Sequence, residues 1–159
     1  MQGIERLLLA IPACLTRHAL EQMNLRPTGR TLIKPNVVAS GPFFPYAYTR
    51  PEFVRGIYQA LKARADDNLT ELAVGERCGI TVPTRTSYDG AGYLDLFKEL
   101  KIPYYCFEEE MQVEIPLTHE GRLRDYVYTP EPVANADFFV NCSKFKAHPW
   151  TTVTFGLKN

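Results

Sequence analysis

An α/β fold is predicted for this 159-residue chain: a mostly parallel, Rossmann-like sheet of about four strands, with flanking helices and an inserted β-hairpin. Three observations predict it. Short apolar runs at 31–34, 71–76, 102–107 and 138–140 are bounded by Gly, Pro or polar turns, as buried strands are. Segments of helical periodicity precede each of the first three runs, the pattern of right-handed crossovers between parallel neighbours. Between the third and fourth runs, residues 111–117 alternate apolar and polar, which marks a half-exposed hairpin strand. A single domain over residues 1–159 is expected to hold all of these.

Taken in order, Ile4, Leu7, Leu8 and Ile11 share one helix face, and Leu15, Ala19 and Met23 continue it past a kink or restart at Pro12. The turn Arg26-Pro27-Thr28-Gly29 ends that segment. The first strand stops near Lys34, because Pro35 cannot donate a ladder hydrogen bond, and Asn36 falls in the loop beyond. Residues 40–48 are too rich in Pro for a helix or a strand; they fit a loop that lids a pocket or packs over the sheet edge. Thr49, Pro51 and Glu52 read as a capping box for the second helix, whose apolar stripe is Phe53, Ile57 and Leu61. The second strand ends at Gly75-Glu76. A third helix follows Thr84, with Tyr93, Phe97 and Leu100 on one face and a start weakened by Gly90 and Gly92. After the third strand, Glu108, Glu109 and Glu110 read as a solvated loop. The hairpin turns at Glu120-Gly121 and returns through 124–128, and Phe138 opens the fourth main strand.

Eighteen basic and eighteen acidic residues cancel, so no global charge draws the chain to nucleic acid or to a membrane surface. Anion specificity, if there is any, has to be local. The longest apolar run, 7–15, is broken by Pro12 and preceded by Glu5 and Arg6; it suits neither a membrane span nor a signal peptide, and a cytoplasmic location is expected. Cys14, Cys78, Cys106 and Cys142 are scattered without a Cys-x-x-Cys, as reduced and mostly buried thiols are. His18 and His119 fit solvated surface positions. There is no Gly-x-Gly-x-x-Gly after the first strand, no Gly-Lys-Ser/Thr loop and no nucleophile elbow, so no standard nucleotide site is expected and no cofactor is identified.

The chemistry gathers near the end of the chain. Lys144, Lys146 and His148 stand at every second position, so in an extended segment they share a face, and Pro149 favours extended geometry before it. Lys34 and Glu76 also close strands, and in parallel sheets ligands sit outside the carboxyl ends of the strands. Lys34 is flanked by Leu32, Ile33, Val37 and Val38, where an ammonium needs an anion or open water. The leading expectation is an enzyme-type pocket for a small carboxylate or phosphate ligand. Lys34, Lys144 and Lys146 would hold the anion, His148 would give or take a proton, and Glu76 would be its partner. Two other readings stay open: a non-catalytic domain that docks on a partner through its lysines, and a metal held by Cys78, Cys142 and His148.

Lys34-Pro35-Asn36, Gly75-Glu76, the run 136–141, Lys144-Phe145-Lys146-Ala147-His148 and the closing Leu157-Lys158-Asn159 resemble, in order and spacing, the family called domain of unknown function 362. The resemblance covers residues 31 to 159 and adds Asn36, Lys158 and Asn159 to the expected ligand-binding set. It differs at Ser143, where the family has proline, and at Ala147, where it has threonine, which removes one hydroxyl. Members of that family continue beyond Lys-Asn and are often accompanied by iron–sulfur modules. The resemblance therefore implies a redox link and the front portion of a longer domain. An exposed apolar surface, covered by self-association or by a second polypeptide, is the corresponding expectation.

Overall fold

The computed structural model describes residues 2–41, 47–79, 82–148, 152–156 and 159, with the backbone alone over 2–10. The first helix, α1 (Gln2–Gln22), runs without a break through Pro12, where the sequence predicts a kink or restart, at the loss of one backbone hydrogen bond. Strand β1 (Gly29–Pro35) follows, and then α2 (Pro51–Arg64). Pro51 occupies the first turn of α2, where its missing N–H removes nothing from the helix. The capping box does not form: Arg50 is the N-cap and no side chain caps the helix. The Thr49 hydroxyl instead accepts from the Asn36 N–H (3.1 Å) and donates to the Cys142 carbonyl (2.8 Å). Tertiary bonds outcompete the local cap. Val54, Ile57, Tyr58, Ala60 and Leu61 face the core, while Phe53 stays at the rim.

Strand β2 (Leu69–Glu76) leads into two short helices rather than one, α3 (Thr84–Gly90) and α4 (Tyr93–Leu100). Gly92, at φ 79°, breaks the helix between them in the left-handed region that glycine adopts freely. One of the three consecutive glutamates is more than solvated loop. Glu108 accepts from the Thr84 N–H (2.6 Å) and hydroxyl (2.8 Å), which holds the start of α3. The chain continues through β3 (Tyr104–Cys106) and the hairpin β4 (Gln112–Pro116) and β5 (Tyr126–Pro130). It then passes through α5 (Glu131–Ala134) and β6 (Phe138–Cys142).

The central sheet has the order β3-β2-β1-β6, and every neighbouring pair is parallel. Strand β1 is thus flanked by β2 on one side and β6 on the other, and the chain reverses its direction of travel across the sheet there. The large core joins Ile33, Leu72 and Val74 to Leu20 of α1, to Val54, Ile57 and Leu61 of α2, and to Tyr88, Tyr93, Leu96 and Phe97 of α3 and α4. Alternate strand positions Leu32 and Ala73 point to the opposite face, where Phe107 covers them. A second hairpin, unanticipated from the sequence, closes the described chain: β7 (Lys146–His148) pairs antiparallel with β8 (Thr152–Thr154) and joins neither other sheet. Among the described residues, no helix is long and apolar enough to cross a membrane.

Candidate functional site

The site is assembled at the carboxyl ends of β1 and β2, with residues from β6 and the second hairpin. Glu76, the last residue of β2, is 1% exposed, and its carboxylate takes three donors. Oε1 accepts from Lys34 Nζ (2.6 Å) and from the Arg77 N–H (2.8 Å), and Oε2 accepts from the Val37 N–H (2.7 Å). Burial pushes the Glu76 carboxyl above the ordinary carboxylate range, while the Lys34 charge and these hydrogen bonds pull it back. A buried carboxylate of this kind is tolerable only because donors surround it.

Lys34, the penultimate residue of β1, reaches a second acceptor, Oδ1 of Asn159, at 3.2 Å. Asn36 Nδ2 donates to the same oxygen at 2.8 Å. Asn159 Nδ2 in turn donates to Asn141 Oδ1 of β6 (2.7 Å) and lies within reach of the Lys34 and Pro35 carbonyls. Asn141 passes the chain of amides on to the Gly156 carbonyl at 2.8 Å. Three asparagines and one lysine therefore tie the ends of β1 and β6 to the closing segment.

Around this network lies an open cleft of about 380 Å³. Lys34, Asn36, Glu76, Lys146, His148 and Asn159, six of the residues expected from the sequence, line it. Cys78, Arg77 and Thr154 join them. Lys146 donates to the Ala47 carbonyl. Among its described lining residues the cleft thus gathers Lys34, Arg77, Lys146 and His148 with the Glu76 carboxylate. Glu76 is bonded to Lys34, where the sequence reading makes it the partner of His148.

Lys144 does not share this cleft. Residues 143–145 carry no strand, so the alternation holds only within β7, and Lys144 turns to a smaller cleft with Thr49, Arg50, Phe53 and Ser143. Lys158, Pro149 and most of the aromatic loop, residues 42–46, lie outside the described residues. Among the described residues no three His, Cys, Asp or Glu side chains converge as metal ligands, so Cys78, Cys142 and His148 are not gathered as a trio. Burial holds the Cys142 thiol up to about 12 and raises that of Cys78. Arg77, Asn141 and Thr154 escape the sequence reading. Arg77 is findable as the neighbour of Glu76; Asn141 of β6 enters through its bonds to Gly156 and Asn159, and Thr154 depends on a hairpin of three-residue strands that leaves no periodic signal.

The family model described as domain of unknown function (DUF362) matches residues 31–159. No curated protein and no solved structure matches the chain.

Proposed function

The chain belongs to the DUF362 family, and from that premise we propose that the cleft binds a small carboxylate- or phosphate-bearing ligand. The observation that carries this reading is the gathering of basic side chains along one cleft. Lys34, Arg77, Lys146 and His148 line the cleft where the strand order reverses, and Glu76, the acidic side chain among its described lining residues, is held by Lys34 and two backbone N–H groups. Open α/β sheets bind ligands at such reversal points. In this reading Lys34 and Lys146 hold the anion and His148 transfers a proton. Glu76 fixes the Lys34 ammonium rather than acting on the ligand. The cleft's own side chains supply binding and acid–base chemistry; a redox step would be brought by a cofactor or a partner.

Thermal-shift measurements with acetate, phosphate and methyl phosphate test it. A ligand at a hundredfold excess over its Kd raises stability by about 2.7 kcal/mol. Lys146→Ala is expected to weaken that binding by about 1.5–3 kcal/mol, the range for a hydrogen bond to a charged group. No shift with any of these anions would remove the proposal.

A second reading, docking to a further copy of the chain, is favoured by one observation. Phe139, Phe145, Val153 and Phe155 are all substantially exposed, with the Phe145 and Phe155 rings in edge contact at 5.6 Å. Sedimentation at tens of micromolar separates the two: a monomer that binds anions supports the cleft, and a dimer indifferent to anions supports docking.

A further inference from the structure

Two residues that line the cleft each carry a buried side-chain oxygen with no hydrogen-bond partner among the described residues. These oxygens are Oδ1 of Asn36, a residue 6% exposed, and Oγ1 of Thr154, a residue 3% exposed. Native interiors rarely leave such groups unpaired, because each forfeits its hydration without compensation. The orientation of the asparagines follows from their neighbours. Asn159 must turn its oxygen to the Lys34 ammonium, since its nitrogen has Asn141 Oδ1 and two carbonyls to serve. Asn36 must then present its nitrogen to Asn159, which leaves the Asn36 oxygen as a pure acceptor without a donor. Thr154, a lining residue carried by β8, brings a hydroxyl able to donate.

A simple anion could accept from the lysines and from the Thr154 hydroxyl, but it has no donor for Asn36. We propose that the ligand is an anion with a hydroxyl or amino group beside its charge, the anionic oxygens taken by Lys34, Lys146 and Thr154 and the neighbouring donor by Asn36. This rests on the anion-binding reading above and narrows its ligand class.

Matched pairs of probes test it by calorimetric titration of the whole chain: acetate against glycolate, and methyl phosphate against glycerol phosphate. The hydroxylated member of at least one pair is expected to bind about tenfold tighter or more, the worth of one good hydrogen bond to a buried group. The pair that shows the gain identifies the charged group. In Asn36→Leu the gain is expected to vanish. Thr154→Val should lose about tenfold to a hundredfold in affinity while its melting temperature holds or rises, because the hydroxyl it removes has no partner among the described residues. Thr154→Ser, which keeps the hydroxyl, should keep the affinity. Equal binding within both pairs would mean that ordered water serves these atoms; it overturns this inference and leaves the anion site standing. A fall in melting temperature for Thr154→Val with affinity intact would also overturn it. Failure of all four probes to bind overturns both readings.

Discussion

Lys34 and Glu76 show how a single contact joins stability to function. Glu76 is closed off from water, while Lys34 keeps 15% of its side-chain surface exposed to the cleft. The two losses are therefore unequal. Lys34→Met strands a buried carboxylate with backbone N–H groups alone, and removing one member of a buried pair costs about 3–5 kcal/mol. Glu76→Gln is expected to cost less, because the Lys34 ammonium still reaches water and the Asn159 oxygen. The pH dependence has a definite sign. An acid whose folded-state pKa is raised binds more protons folded than unfolded, so it withdraws stability as pH climbs from the ordinary 4.5 through the raised value. Lys34 is the largest influence pulling the Glu76 carboxyl down, so its removal extends that loss to higher pH. Urea unfolding of Lys34→Met should show a deficit that is small near pH 4.5 and grows towards neutrality. A deficit independent of pH would show that the lysine contributes by packing alone.

The elements differ in how openly the chain announces them. β1, β2 and β6 are legible because their apolar runs end at Pro35, at Gly75-Glu76 and in the polar residues that follow Val140, so their ends fall where the chemistry sits. Asn159 carries no local signal at all; family resemblance alone points to it, and its bonds to Lys34 and Asn36 span more than 120 residues of sequence. Thr49 misleads for a related reason. Its local neighbours describe a good cap, but its hydroxyl finds stronger partners in Asn36 and Cys142, which no window around it contains. Lys144 groups with Lys146 and His148 only if the three share one extended segment, which the irregular residues 143–145 interrupt. Gly75 is a case where an element depends on an absent atom. A Cβ there would lie 2.3 Å from the Phe107 ring, which is 3% exposed and covers Leu32 and Ala73. Gly75→Ala should therefore destabilise by about 1–3 kcal/mol as an overpacked core position. Combining it with Phe107→Leu should recover part of that loss, and strict additivity of the two would refute the steric account.

At the scale of the whole molecule, the cleft lies between two bodies of unequal support. One wall is the central sheet, in which β1 is paired on both sides and buried against α1 to α4. The other wall is the β7–β8 hairpin, three residues against three, hydrogen-bonded as a sheet only to itself. Two-stranded hairpins of this size have little stability of their own. What joins the hairpin to the rest of the fold near the cleft includes the Lys146 bond to Ala47, in the loop before α2, and the Asn141 bond to the Gly156 carbonyl just beyond β8. Amide exchange should therefore be slowest in β1 and β2 and much faster in β7 and β8, since local opening is cheapest where few buried contacts are broken. A ligand held by Lys34 on one wall and by Lys146, His148 and Thr154 on the other would connect the two. Its binding should slow exchange at Lys146–His148 and Thr152–Thr154 far more than in β3 at the far edge of the sheet. Exchange measured with and without a saturating anion decides the point. Protection confined to β1 and β2 would place the ligand on the sheet alone, and the hairpin residues would then have no part in holding it.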